Sequence, residues 1–185
     1  RTEVDSELNS RSVALSGEWW RAANKRFQWG ISGQFGIVRF GDGLESKDVD
    51  QLLFGPMMIY RWPDLKNLEL FAAALTGSDK EANPGSLYSR DLLGLRGSLS
   101  AKLNPQWRLS GNISYLASDY DGVFFPTDYD SPRQDDLLRI GGQLSYKPNT
   151  KWETAMTVSY TENDTEIDIF AYDRWEALLH FRRNW

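Results

Sequence analysis

The chain has 185 residues, a net charge of −5 at neutral pH and a mean hydropathy of −0.53. The length predicts one domain, the acidic balance argues against nucleic acid as a partner, and the lack of cysteine excludes disulfides and thiolate metal sites. The sequence is nevertheless rich in rings, with eight Trp, eight Tyr and nine Phe, which suits either a soluble β-sandwich or a membrane β-barrel with aromatic girdles.

The first half of the chain predicts strands, because apolar and polar residues alternate with a period of two. Val13, Leu15, Gly17 and Trp19 share one phase, and residues 27–37 repeat the pattern. Residues 52–75 are less regular, with a turn expected at RWPDLKN. The apolar run LFAAAL is far shorter than the roughly 20 residues of a transmembrane helix, and the opening RTEVDSELNS is too polar for a signal peptide.

The alternation is clearest in the second half. Residues 93–103 and 107–117 flank the turn NPQ, and residues 137–147 and 151–161 flank the turn PNT. A last alternating segment, 175–185, ends on a tryptophan. Each segment has the length of about ten residues with which a tilted strand crosses a bilayer.

Short connections (AANK, PDLKN, NPQ, PNT) alternate along the chain with longer ones, which are rich in Asp, Gly and Ser. This alternation is typical of outer-membrane barrels, which have tight periplasmic turns and larger extracellular loops, and is not expected of a sandwich. The sequence therefore predicts an all-β fold, an antiparallel transmembrane β-barrel of about nine strands in a Gram-negative outer membrane, in contact with lipid and lipopolysaccharide.

An odd number of strands has a further implication. Bacterial single-chain barrels have even strand numbers, and an open edge in lipid leaves backbone groups unpaired. We therefore expect residues 1–185 to be the C-terminal part of a larger barrel, without its upstream strands and any periplasmic domain. There are two alternatives: the strand count is wrong by one, or another subunit closes the barrel.

The polar phase of the strands predicts which side chains line the lumen. The candidates on the later strands are Arg96, Arg139, Glu153, Glu176, His180 and Arg182. An excess of bases there would attract an anionic solute or chain. The alternative is that these charges pair with acids across strands.

One long loop, predicted over residues 118–136, is strongly acidic. It carries Asp119, Asp121, Asp128, Asp130, Asp135 and Asp136. Carboxylates at this density could bind calcium, but their spacing is not that of an EF-hand, and a solvated extracellular loop is expected. Phe124 and Phe125 in the same loop mark a partner site or tuck into the barrel mouth.

No catalytic or metal centre is expected. His180 is the single histidine, and without a second histidine or a cysteine neither a catalytic dyad nor a zinc site is predicted. The sequence thus predicts a protein that is not an enzyme and needs no cofactor.

The last segment predicts how the chain is assembled. Phe181 and Trp185 lie on its apolar phase. This arrangement resembles the C-terminal signature of outer-membrane proteins, which the barrel assembly machinery recognises.

Several stretches resemble the C-terminal barrel of outer-membrane proteins with tetratricopeptide repeats, and most of all the surface lipoprotein assembly modifier family. They are SRSVALSGEW, LSAKLNPQWRLSGNISY and residues 133–181. The most specific pieces are the Arg133–Asp135–Asp136 cluster, SYTEND at 159–164 and YDR at 172–174.

The resemblance implies a barrel, without catalytic residues, that moves lipoproteins or soluble haem-binding proteins to the cell surface. The family's periplasmic helical repeats do not occur in this sequence. The expected function is an export pore, or translocon, for a macromolecule such as a surface protein or lipoprotein. A scaffold barrel within a multi-subunit complex, which would bind a partner subunit, and a polysaccharide-export pore are the alternatives.

Overall fold

The fold consists of antiparallel strands joined by turns and loops. The computed structural model describes residues 10–41, 43–65, 67–85, 87–124 and 131–183. Two single turns of 3-10 helix lie in connections, and no α-helix occurs in these ranges. The strands are β1 (Ser10–Ala22), β2 (Phe27–Phe40), β3 (Val49–Trp62), β4 (Leu68–Glu81), β5 (Arg90–Lys102), β6 (Trp107–Tyr120), β7 (Gln134–Tyr146), β8 (Trp152–Thr165) and β9 (Tyr172–Arg183).

The nine strands form one sheet in sequence order, each antiparallel to the next. The predicted all-β antiparallel fold and its strand number are confirmed. In the described part of the chain β1 and β9 each have one neighbour, so the sheet is open rather than closed into a ring.

The strands are longer than the sequence predicts. They run for 12 to 14 residues rather than about ten, since the ladders continue into segments expected to be loops. The alternation of connections is confirmed: the short turns 23–26, 63–67, 103–106 and 147–151 lie at one end of the sheet, and the longer connections 41–48, 82–89, 121–133 and 166–171 at the other. We call these the turn end and the loop end.

The register places the predicted apolar phases on one face of the sheet, and β3 and β4, whose alternation is less regular, contribute Leu52, Phe54, Leu68 and Leu70 to the same face. Leu15 pairs with Phe35, which pairs with Leu52, and Ile113 pairs with Ile140. We call this the apolar face and the opposite one the polar face. The exposed large side chains of the apolar face include Val13, Leu15, Trp19, Trp29, Ile31, Phe35, Leu52, Phe54, Leu93, Leu95, Leu99, Leu109, Ile113, Ile140, Leu144, Met156, Trp175, Leu179 and Phe181.

Aromatic rings and charges bound the apolar face at its two ends. Toward the turn end lies an aromatic belt, in which Trp19 meets Trp29 with centroids 5.4 Å apart and Trp107 stacks on Tyr146 at 4.5 Å. The belt comprises Trp19, Phe27, Trp29, Tyr60, Trp62, Trp107, Tyr146, Trp152 and Phe181. Toward the loop end the same face carries acids, at Asp50, Asp91, Asp119, Asp136, Glu162, Asp164 and Asp173.

The sheet has no second layer packed against it in the described residues. Only five hydrophobic residues there are buried, namely Met57, Leu92, Tyr120, Ala155 and Ile167. Soluble single-domain proteins rarely expose contiguous apolar patches larger than a few hundred Å². A face this apolar must therefore be covered by something other than this chain's described residues.

The β3–β4 pair departs from a regular pleat. Its ladder skips Gly55 and Pro56, and proline has no N–H to donate. A Cβ at Gly55 would lie 1.9 Å from the Ala74 carbonyl oxygen, and one at Gly77 would lie 1.8 Å from that of Leu52. Glycine is required at both positions because the neighbouring backbone occupies the space of a side chain.

Candidate functional site on the polar face

The polar face is crossed by a row in which arginines alternate with hydroxyl residues. Arg96 on β5 pairs with Ser114 on β6, which pairs with Arg139 on β7. Arg139 pairs with Thr161 on β8, which pairs with Arg174 on β9. Because adjacent strands lie about 4.8 Å apart, successive arginines of this row are about 10 Å apart at their Cα atoms.

The register gathers all six predicted lumen residues on this one face. Glu153 lies opposite Arg182, and His180 lies opposite Ala155. The Glu176 carboxylate lies 3.2 Å from the guanidinium of Arg174 on the same strand, and both side chains are exposed. Arg96 and Arg139 lie in the middle of the face, also exposed. No ion pair joins any of these six residues to another across strands within the described part of the chain.

Cross-strand ion pairs do form on the polar face, but at residues that sequence reasoning missed. Arg61 donates to Glu69 at 2.6 Å between β3 and β4. Arg90 donates from Nε to Oδ2 of Asp79 at 2.8 Å between β5 and β4. Asp79 and Arg90 were missed because both fall in the stretch TGSDKEANPGSLYSR, residues 76–90, which reads as one of the longer connections. Their opposite charges at the two ends of that segment are the signal that could have found them.

The Asp79–Arg90 pair belongs to a chain of hydrogen bonds at the loop end. Gln51 donates to the second oxygen of Asp79 at 2.8 Å, and Gln34 donates to Gln51 at 3.0 Å. On its other side Arg90 donates to the Tyr120 hydroxyl at 2.9 Å. Asp79 is buried with every carboxylate oxygen bonded, which offsets the cost of removing its charge from water.

A second arginine, Arg133, completes what we call the arginine–aromatic cap, formed by Arg90, Tyr120, Phe124, Arg133, Asp135 and Phe170. Arg133 donates from Nε to Asp135 at 2.7 Å and makes a second contact to the same carboxylate. Its guanidinium lies 3.7 Å from the centroid of the Phe170 ring and 4.9 Å from that of Tyr120. Planar stacking on rings together with a two-pronged carboxylate contact is a role that suits arginine and not lysine.

The cap holds the loops against the polar face. Phe124 packs edge-on against Tyr120 and Tyr88, both at 5.3 Å. Asn163 donates to the Phe170 carbonyl at 2.9 Å. Of the two outcomes expected for the Phe124–Phe125 pair, Phe124 tucks inward, while Phe125 lies outside the described residues. Arg133 and Asp135 thus belong to the cap, and Asn163 in the SYTEND stretch holds its Phe170 in place.

The predicted acidic loop is shorter than expected, and the structure divides its aspartates. Asp119 lies on β6, and Asp135 and Asp136 lie on β7, because the β6–β7 ladder continues to the Asp119–Gln134 pair. Asp136 accepts a 2.6 Å hydrogen bond from the Tyr115 hydroxyl, and Asp121 lies 3.7 Å from Lys80. Asp128 and Asp130 fall outside the described residues.

Of the predicted assembly signal, Phe181 lies on the apolar face next to Thr154 and is exposed. Trp185 is outside the described residues. Within the described ranges no group of three or more histidine or acidic side chains is placed to hold a metal ion. The same ranges contain no helix of the length and hydrophobicity that crossing a membrane requires.

Comparisons with known proteins add nothing to this geometry: no family model, no curated protein and no solved structure matches the chain.

Proposed function

We propose that this chain forms the wall of a β-barrel in a bacterial outer membrane, with its apolar face in lipid and its polar face toward a water-filled passage. In this proposal the passage serves the export of a macromolecule such as a surface protein or lipoprotein. That client is the expectation from the resemblance to the surface lipoprotein assembly modifier family. The barrel itself is supported by the physical character of the sheet.

The observation that carries the proposal is the contrast between the two faces. Large apolar side chains from the strands cover one face, and no protein layer packs on them in the described residues. Lipid is the environment in which such a face is stable. The other face carries serines, glutamines and charges, which suit contact with water.

The height of the apolar face fits a bilayer. On β6 it extends from Trp107 to Ala117, which is about 33 Å along a strand at ~3.3 Å per residue. At a tilt of about 40° this projects to about 25 Å, the height of the apolar band of outer-membrane barrels. The aromatic belt then lies at one interface and the acidic ends of the strands at the other.

The two ends of the sheet support an orientation. Tight turns face the periplasm in outer-membrane barrels, and longer loops face outward. The turn end is accordingly assigned to the periplasm and the arginine–aromatic cap to the outside. The partners of the apolar face would be lipid and lipopolysaccharide, and the last strand with Phe181 would be read by the barrel assembly machinery.

The test uses neighbouring residues whose side chains lie on opposite faces. The chain has no cysteine, so single cysteines can be introduced and labelled with a small fluorophore. Ile113→Cys and Ser114→Cys form one pair on β6, and Leu144→Cys and Gln143→Cys form a second on β7. The labelled protein is folded into vesicles, and its circular dichroism is matched to that of the unsubstituted protein.

Two quenchers then distinguish the faces. A spin-labelled lipid should quench the labels at 113 and 144, and aqueous iodide should quench those at 114 and 143. Iodide quenching at all four positions would refute the membrane assignment. The same lipid quenching at both members of each pair would refute the water-filled passage.

A second candidate function, a scaffold subunit of a multi-subunit complex, is favoured by the open edges of β1 and β9. Their outer backbone groups need partners if the sheet lies in lipid. Planar-bilayer recording separates the candidates. An export pore conducts, and its exposed arginines should favour anions. A scaffold conducts nothing and purifies with a partner in fixed ratio. Conductance blocked by an acidic polysaccharide but by no protein would favour the polysaccharide pore.

A further inference from the structure

A small recess on the polar face is lined by leucines, by Gln34 and Gln51, and by three arginines, of which Arg90 is already held by Asp79. Its volume is about 230 Å³, and it lies between the arginine–aromatic cap and the row of arginines. Arg96 and Arg139 form the side nearer the turn end, with Ser114 between them. The apolar lining consists of Leu53, Leu75, Leu92, Leu116 and Leu137.

Arg96 and Arg139 have no protein partner in the part of the chain that the structure describes, since neither takes part in a hydrogen bond or ion pair there. Arg61, Arg90 and Arg133, in contrast, are each held by a carboxylate. Like charges about 10 Å apart, close to one screening length in physiological salt, repel each other weakly, and an anion between them would relieve that repulsion.

The five leucines form an apolar cluster on a face whose other side chains are mostly polar or charged. Leu92 is 3% exposed, and the other four are half-buried. Apolar surface that borders water is stabilised when an apolar group covers it. The recess therefore offers two complementary contacts side by side: cations with a hydroxyl donor, and an apolar surface.

We propose that this recess binds a small amphiphilic carboxylate, with its head group at Arg96, Ser114 and Arg139 and its short alkyl chain on the leucines. A space of 230 Å³ holds about eight water molecules at ~30 Å³ each, which suits a ligand of about that many heavy atoms. Guanidinium groups form strong charge-assisted hydrogen bonds to carboxylates. The inference depends on the proposed function only in that water reaches the polar face.

The test measures binding of hexanoate to the full protein in a nonionic detergent by saturation-transfer NMR. Two control ligands separate the contributions of the two ends of hexanoate: acetate has the charge without the chain, and 1-hexanol has the chain without the charge. Saturable binding of hexanoate, with both controls weaker by at least about tenfold, is expected if each half contributes one good contact.

Variants then locate the site. Arg96→Gln and Arg139→Gln should each weaken hexanoate binding by roughly tenfold, the effect of losing one charge-assisted hydrogen bond. Arg174→Gln removes the same charge from the same row outside the recess and should change binding by less than about twofold. Arg96 and Arg139 have no partner among the described residues, and the contact of Arg174 with Glu176 is exposed to solvent and contributes little, so all three variants should fold as the unsubstituted protein does.

Three results would overturn the inference: no binding, hexanol binding as well as hexanoate, or Arg174→Gln weakening binding as much as Arg96→Gln. The first includes the case in which another segment of the protein fills the recess. Each of these can occur while the quenching experiment still places the apolar face in lipid, so failure of the site is distinguishable from failure of the proposed function.

Discussion

The arginines at the loop end of the polar face and those in its middle carry the same guanidinium group but differ in burial and in pairing with acids. Arg133 and Arg90 are largely buried, stacked on or bonded to rings, and held by Asp135 and Asp79. Arg96 and Arg139 are exposed at the edge of the recess, and no acid in the described ranges forms an ion pair with either. The difference indicates that the first pair stabilises the fold of the loops, whereas the second is available to something that is not part of the sheet.

The largest effect is expected from Asp135→Asn. It leaves the guanidinium of Arg133 buried without its counter-charge, and both side chains of the pair are about 90% shielded from solvent. Breaking such a buried pair should lower the free energy of unfolding by about 3 kcal/mol. Urea unfolding in detergent micelles, followed by tryptophan fluorescence, measures it. Asp119→Asn, a change at a strand end without an ion pair in the described residues, is the control. An equal loss in both variants would contradict the structural role of the cap.

A smaller effect is expected from Asp79→Asn. The substitution replaces an acceptor of hydrogen bonds from Arg90 and Gln51, but Arg90 keeps its bond to Tyr120 and remains partly exposed. The loss should be about 2 kcal/mol in the same unfolding measurement. The exposed Asp91→Asn on the next strand should change it little. A loss no larger than that of Asp91→Asn would mean that the hydrogen-bonded chain at the loop end does not stabilise the sheet.

The Arg61–Glu69 pair tests whether the contribution of an ion pair to the free energy of unfolding depends on its burial or only on its formation. Its contact of 2.6 Å is as close as the 2.7 Å hydrogen bond from Arg133 Nε to Asp135, but both side chains are more than a third exposed. Glu69→Gln should therefore cost at most about 1 kcal/mol in the same assay. A cost equal to that of Asp135→Asn would show that solvent exposure does not separate the two regions.

The smallest effect on stability is expected from the double variant Arg96→Gln and Arg139→Gln. Neither arginine has a partner in the described residues to lose, so the free energy of unfolding should stay within about 0.5 kcal/mol. Anion selectivity in planar bilayers should fall in the same variant, since the two cations would line the passage. A large loss of stability with unchanged selectivity would show that Arg96 and Arg139 stabilise the fold, as Arg90 and Arg133 do, and do not line a passage.

Much of the fold could be predicted because period-two alternation is a local property. The alternation of residues such as Ile113 and Ser114 indicates the two faces of a strand, and turn sequences such as NPQ indicate where strands end. The extents of the strands could not be predicted in the same way. Asp79 and Asp135 have side chains that disfavour strands in isolation. The ladder includes them because each charge is satisfied, that of Asp79 by Arg90 on the neighbouring strand and that of Asp135 by Arg133 in the preceding connection.

The sequence by itself determined the class of fold, the strand number, the apolar face and the alternation of short and long connections, since all of these follow from the order of neighbouring residues. Only the tertiary structure decided which charges are paired. Arg90 and Arg96 lie six residues apart on one face of β5, and nothing local distinguishes them. The register sets Asp79 opposite Arg90 and Ala73 opposite Arg96, so Arg90 is neutralised across the strands whereas the residue opposite Arg96 carries no charge. Pairing energies depend on what lies about 5 Å away across the sheet, and that distance is fixed by folding.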